Sequence, residues 1–564
     1  MLLLTNAKVI NVFSCEIENA DILIKDGVIV GVGDYKDAKA DKIIDLNGKY
    51  VCSGFIDGHI HIESTMLTPY ELAKLSLVHG TTAIVCDPHE IANVCGIDGI
   101  NYMIQASSGL PYDVYFMVPS CVPSTPFDET GAVLNAKDIL PLYQNDRVLG
   151  LAEMMNYVGV INGDTQALTK LNDAKKLGKI INGHAPLLSG KDLDKYILEG
   201  VQDDHECSNE QEAKEKIKKG QRVMIRQGTA AKNLKDLISL FEYPWCDRCL
   251  LVSDDKHPAD LINNGHIDDV IRLAISYGVN PITAIKMATK CSAEAFNLKN
   301  KGAVAVGYKA DLVAFDSLKE INVSHVFKDG KLVVDNYKLL TFNPPTVSAE
   351  LENKVRNTFN LKSLSAQDFL IAPQNKLVRV IEVIKGQLLT NLKVEKLNFN
   401  ENNGIDLNRD ILKVAVVERH KNTSHIGLGF VSGLGLKKGA IASSVSHDSH
   451  NLIIVGTNER DMAFAGNEII SSGGGSVVVE SGKVLSKMAL PIAGLMTDKS
   501  AQEIATENQL LRDSVYSLGV PRDIEPFMTT AFISLPVIPF VKMSTQGLVD
   551  VINQKLISLF VEEN

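Results

Sequence analysis

In the stretch GFIDGHIHIES, residues 54–64, two imidazoles, His59 and His61, sit one residue apart at the end of an apolar run. A carboxylate, Glu63, follows two positions on. Alternate residues of a strand face the same side, so both rings, and Glu63 with them, are expected to look into one space. Neutral imidazoles held that way suit a metal ion. An isolated H-x-H is more often a hydrogen-bonded strand end, so the other candidates decide between the two readings. Glu153 in LAEMMN, His184 in GHAP, His205 in DDHE and Asp254 in SDDKHP each lie at the end of an apolar run. Imidazole and carboxylate together suit first-row divalent ions such as Zn, Fe or Mn. Six such ligands are too many for one catalytic ion with an open position and fit two ions bridged by a carboxylate.

The elements that must bring these residues together are eight apolar β-like runs between about residues 50 and 295: VCSGFIDGHIH, TTAIVCDPHE, VYFMVPS, VLGLAEMMN, KIINGHAP, GVQDDHE, RVMIRQG and CLLVSDDKHP. Helical patterns such as PYELAKLSLVHG and NEQEAKEKIKKG separate them. Alternating strand and helix signals argue for a parallel sheet. Eight units over about 240 residues match an α/β fold of the (β/α)8 TIM-type barrel kind, better than an open doubly wound sheet. Barrel chemistry sits at the C-terminal ends of the strands, where all six candidates fall. The expected organisation is a catalytic barrel over 50–299 and a small composite β-subdomain from the flanks, 1–49 plus 300–345. After the proline-interrupted FNPPTVSAE, a C-terminal α/β domain over 346–564 either covers the barrel mouth or only stabilises the fold. Its triple glycine, SSGGGSVVV, reads as a turn, because no GK[ST] follows to make a phosphate loop.

Further polar groups fall near the same rim. In DPHE, alternation puts Asp87 and His89 on one face and Glu90 on the other or in the loop, as an auxiliary metal site, substrate contacts or a loop-organising cluster. Arg226 and Asp255 are candidates of the same rank, although Asp255 follows Asp254 directly and is expected to point away and cap the next helix. His257 reads as loop structure, and His79, His266 and His325 as bystanders on surface elements. The C-terminal region holds His420, His425, His447 and His450, and the phrase HDSHN offers His447, His450 and Asn451 as contacts or as a turn between strands.

Composition narrows the partners. The 564 residues exceed one compact core, and 45% hydrophobic with 22% charged residues is ordinary globular content. A formal net charge of -11 without a long Lys/Arg run argues against nucleic acid or an anionic membrane as partner. No apolar stretch approaches a membrane span, and MLLLTNAKVINVF alternates like a strand rather than a signal peptide. The nine cysteines are odd in number, end at Cys291 and read as no disulfide framework, which fits a reduced, cytoplasmic protein.

The series H-x-H, strand-four carboxylate, two further histidines and a strand-eight aspartate resembles the amidohydrolase superfamily, as does GAVAVGYKADLVAFD. GFIDGHIHIESTMLTP, HGTTAIVCDPHEIANV, LAEMMN, DDHE, SDDKHP and HDSHNLIIVG together resemble the adenine deaminase family within it, over nearly the whole chain. One departure is Gln227 in MIRQGTA, where that family's phrase has a glutamate. The resemblance implies a small-molecule substrate, adenine, and two divalent ions per chain, Mn(II) or Fe(II) ahead of Zn(II). It implies His59 and His61 on one ion, His184 and His205 on the other, Glu153 bridging, and Asp254 binding one ion while accepting a proton. Glu63 is favoured as a substrate-side group, and a homo-oligomer, most simply a dimer, is expected. Two rivals stand against this reading: a cyclic-amide hydrolase on the same site, and a barrel scaffold without catalysis. Relatives of the first kind carry a modified lysine where this chain has Glu153, and retention of all six ligands speaks against the second.

Overall fold

The computed structural model describes residues 1–229, 231–385 and 389–561, and the chain divides into two compact units. The first comprises Met1–Asp87, Ile104–Ser120 and Ile139–Thr346; the second comprises Pro88–Met103, Cys121–Asp138 and Val347–Asn564.

In the first unit, both sequence flanks enter one nine-stranded sheet. Tyr50–Ser53 pairs antiparallel with Leu312–Phe315, so that Ser53 faces Leu312 and Phe315 faces Tyr50. Its core is made by Leu4, Val9, Ile22, Ile29, Val51, Leu312 and Phe327.

The eight apolar runs form parallel strands: β1 (Phe55–Ile60), β2 (Thr81–Cys86), β3 (Asp113–Val118), β4 (Val148–Met154), β5 (Ile180–Gly183), β6 (Asp203–Asp204), β7 (Arg222–Arg226) and β8 (Cys249–Val252). β1 to β5 pair in sequence, as do β6 to β8. A backbone hydrogen bond closes each seam between the sheets. Gln202 N–H donates to Ile181 O, and Asp254 N–H donates to His59 O, each at 2.9 Å. The result is a TIM-type barrel. Strands buried on both faces need unbroken apolar sequence, and every residue of β1, β2 and β8 is buried. Gly58 lets β1 approach β8, since a Cβ there would lie 2.5 Å from Leu250 Cδ1.

The connecting helices carry their own start signals. Thr68 caps Pro69–Val78 by accepting from Glu71 N–H, with proline at the first helical position. Asp164 caps Thr165–Lys176, whose Ala167, Leu171 and Ala174 recur at helical spacing and are buried. Cys246 and Cys249 have C-x-x-C spacing, but all nine cysteines are free thiols. Burial pushes the Cys249 thiol up, the opposite of a redox pair.

The second unit holds an eight-stranded, mostly antiparallel sheet with one parallel pair, Val378–Val383 against Ile426–Ser432. Helix Glu459–Ser471 packs on it through Met462 and Ile469 against Leu452 and Ile454. The triple glycine is a turn. Gly473, Gly474 and Gly475 all have positive φ and lead from this helix into strand Gly475–Glu480. No described helix is long and apolar enough to cross a membrane.

Candidate metal centre

The end of β1 sets the site. Asp57, two residues before His59, is fully buried, and its carboxylate accepts four hydrogen bonds. The donors are His59 N–H (3.2 Å), Ser253 N–H (3.1 Å), Ser253 Oγ (2.5 Å) and His266 Nε2 (2.8 Å). One side chain thus ties the backbone beside His59 to the backbone beside Asp254. His61 Nδ1 lies 3.1 Å from the Asp87 carbonyl, which can only accept. Nδ1 therefore carries the proton and Nε2 presents a lone pair to the cavity.

At the other strand ends, Tyr196 donates to Met154 O (2.7 Å) and accepts from His184 N–H (3.1 Å), which locks the ends of β4 and β5 together. Asp204 accepts from Ala185 N–H at 2.9 Å and pairs with buried Lys216 at 3.2 Å, fixing β6 just before His205.

Glu153 sits at the centre, with its two oxygens facing different pairs. Oε1 lies 3.3 Å from His61 Nε2 and 3.8 Å from His59 Nε2. Oε2 lies 2.6 Å from His184 Nδ1 and 3.1 Å from His205 Nε2. Asp254 Oδ1 lies 3.2 Å from His61 Nε2 and 3.7 Å from His59 Nε2. Asp254 adopts φ +60°, a left-handed backbone uncommon for aspartate that aims its side chain just past β8. At this centre, the sets His59, His61 and Asp254; His59, Glu153 and His205; and His184, His205 and Glu206 each have ligand atoms within 4.8 Å of one another. His59 Nε2 is buried with no hydrogen-bond partner among the described residues. An orphaned imidazole nitrogen facing two carboxylates fits a divalent cation.

The electrostatics agree. Burial and the neighbouring His205 ring hold the His59 imidazole well below its ordinary pKa, so the ring is neutral, the form that can ligate a metal. Burial alone would raise the Glu153 carboxyl, yet His205 and His184 hold it well below the carboxylate range. Burial opposes ionisation of Asp254 too, and Arg226 and His61 overcome it. His205 behaves oppositely to His59. Burial disfavours its charge, but Glu153 brings its pKa up to about 9, so a metal at this ring must displace a proton.

The remaining candidates fall in several places. β1 ends at Ile60 and buried Glu63 opens a 3-10 turn, Glu63–Thr65, so strand alternation stops before it. Asp87 is buried and offers its carbonyl to His61. Asp255 caps no helix; its carboxylate accepts from Ser64 Oγ at 2.6 Å, and His257 holds the cap position. Arg226, at the end of β7, pairs with Glu206 and Asp254. Gln227, the departure from the family phrase, donates its backbone N–H to Val252 O at 3.1 Å, and Ala230 lies outside the described residues. In the second unit, His89 Nε2 is 3.8 Å from Asp448 Oδ1, and Glu90 lies 3.3 Å from His447 Nδ1 and 3.9 Å from His450 Nε2. Asn451 accepts from Arg419 N–H and donates to Glu129 O, so both ends of its amide are engaged within this unit.

One more expectation is corrected, and one residue was missed. His266 and His325 are buried, not surface residues, and His266 reaches Asp57. Glu206, unremarked in the sequence beside His205, places its carboxylate 3.5 Å from His205 Nε2 and 3.7 Å from His184 Nδ1. The acid in DDHE was its only signal.

Imidazoles and carboxylates converging at the C-terminal ends of barrel strands define a hydrolase of the amidohydrolase class, and residues 50–333 match the amidohydrolase family. That family implies a divalent metal. Residues 387–555 match the adenine deaminase C-terminal domain. The chain is 44% identical to an adenine deaminase of Kosmotoga olearia, over 99% of this chain and 96% of the relative. It is also 44% identical to one of Clostridium acetobutylicum, over 99% and 97%. With adenine deaminase 2 of Carboxydothermus hydrogenoformans the identity is 45%, over 98% and 95%. The chain belongs to the adenine deaminase family.

Proposed function

We propose that this chain hydrolyses free adenine to hypoxanthine and ammonia. The observation that carries the reading is end-to-end similarity to adenine deaminases, at 44% identity over 99% of the chain. In this reading two divalent ions, Mn(II) or Fe(II) ahead of Zn(II), are held by His59, His61, Glu153, His184, His205 and Asp254. Bound there, they lower the pKa of water so that a nucleophile is available at neutral pH. Glu153, with one oxygen toward each histidine pair, would serve both ions. Asp254 takes a proton from the attacking water and delivers it toward the ring or the departing amine, which ammonia needs as a leaving group. Glu63 is the favoured substrate-side group. The reading extends to a cytoplasmic homodimer in adenine salvage.

The test is a parallel assay of Mn- or Fe-loaded protein on adenine, adenosine, AMP, cytosine, guanine, hydantoin and dihydroorotate, following ammonia release and ring opening. Buried polar groups left unpaired by a wrong substrate cost about 1 to 3 kcal/mol each, so adenine should exceed the others clearly. Adenosine equal to adenine in kcat/KM would end the free-base reading. Dominant ring opening would replace it with a cyclic-amide hydrolase.

A further inference from the structure

Three carboxylates, not two, face the four histidines of the centre, and an arginine sorts them. Arg226 ends β7 with a largely buried side chain. Its Nη1 and Nη2 grip Glu206 in a fork, at 2.5 Å to Oε1 and 2.9 Å to Oε2. Nη1 also donates to Asp254 Oδ2 at 2.6 Å. With Oδ2 taken, Asp254 has only Oδ1 to turn toward His61 and His59. Glu206 is close enough to His205 and His184 to serve as a ligand, and the fork occupies both of its oxygens. A rigid planar guanidinium can hold two carboxylates in fixed geometry, which a lysine ammonium cannot.

We infer that Arg226 is a positioning residue that selects the metal-ligating carboxylates: it presents Asp254 through one oxygen and withholds Glu206. This rests on the reading of Asp254 as a metal ligand. Without Arg226, Asp254 is free to rotate and Glu206 is free to join the ions. Misplacement of a catalytic group by about 1 Å lowers turnover by about 10²-fold.

The experiment uses Mn-loaded full-length protein and four variants: Arg226→Gln, Arg226→Lys, Glu206→Gln and the Arg226→Gln/Glu206→Gln double. Metal per chain, rate of Mn loss to excess EDTA, kcat and KM are measured, with and without added guanidinium. Arg226→Gln should keep its metal, lose about 10²-fold in kcat with KM little changed, and regain at least about tenfold with guanidinium. Arg226→Lys should stay near the Gln variant. Mn loss should be slower in Arg226→Gln, because Glu206 has become a ligand, and return to the wild-type rate in the double variant. Absence of either the guanidinium rescue or the slowed release overturns the inference. Should Arg226→Gln not fold, Arg226→Lys decides by the same measurements, since it too loses the fork, and wild-type kcat together with wild-type Mn loss there overturns the inference. Wild-type protein that binds no metal would instead overturn the underlying site.

Discussion

Replacement of Glu153 by glutamine tests the centre at its middle. The amide keeps the shape of the carboxylate but has one carbonyl oxygen, whereas Glu153 offers Oε1 to His61 and His59 and Oε2 to His184 and His205. Glutamine can therefore serve one histidine pair and must turn an N–H2 toward the other. The side chain is 3% exposed, so water cannot replace the lost contact. Removing one partner of a buried charge pair costs about 3 to 5 kcal/mol. At about 1.4 kcal/mol per decade, affinity for the abandoned ion should fall by about 10² to 10⁴. Metal per chain after dialysis, read by plasma mass spectrometry beside chelator competition, should drop toward one ion, and turnover should largely disappear. Apo protein gives a second readout. Without the carboxylate, the His205 pKa should fall from about 9, followed by imidazole NMR. A variant that keeps both ions, full turnover and a high His205 pKa would refute the bridging role.

Three further outcomes are expected. Asp254→Asn preserves shape but cannot carry a proton, so kcat should fall by about 10² to 10⁴; a fully metallated Asn variant with wild-type kcat would exclude proton transfer by Asp254. Asp128, buried in the second unit, has its pKa pushed up to about 7 by burial, against the hydroxyls of Thr125 and Ser124 that favour its charge. The folded state then holds this proton where the unfolded chain has lost it, so stability contributed here falls as pH rises from about 4 to 7. Asp128→Asn should remove that fall, raising the unfolding midpoint at pH 8 by an amount worth up to ~4 kcal/mol and giving no such gain at pH 4. Parallel pH profiles for the two proteins would count against it. His266→Phe leaves Asp57 short of one donor in a buried network, and a loss of about 1 to 3 kcal/mol in urea unfolding is expected, whereas an unchanged midpoint would show that the network does not depend on it.

Much of this site can be read from the chain because parallel barrel strands must be apolar throughout. A polar residue at the end of such a run stands out. His59, His61, Glu153, His184, His205 and Asp254 were all visible for that reason. What escaped reading depends on local geometry or on distant partners. Glu206 follows a strand of only two residues, Asp203–Asp204, too short for alternation to say which way it points. Glu63 lies beyond the point where β1 gives way to a turn. The Asp57 network joins residues 196 and 209 positions apart, and GHIDD has the polar look of a surface segment although His266 is fully buried. Residues 88–103 and 121–138 group with the second unit although they lie between barrel strands in the sequence, and no composition change marks where the chain leaves and returns.

The same geometry separates folding from metal loading. A zinc-finger-like site collapses without its ion, because its ligands have no other partners. Here each carboxylate of the centre has a cationic or donor partner in the protein itself: Glu153 has His184 and His205, and Asp254 has Arg226 and His61. The positions of the ligands rest on groups outside the cluster, the four donors to Asp57, the Tyr196 link between β4 and β5, and the Lys216–Asp204 pair behind His205. An ion entering such a site gains no folding of the barrel. It competes with the proton on His205, so loading weakens as pH falls below about 9, by up to tenfold per unit for that one proton. If the centre binds metal as proposed, the apo chain keeps the barrel in place, and occupancy follows metal supply and pH rather than folding.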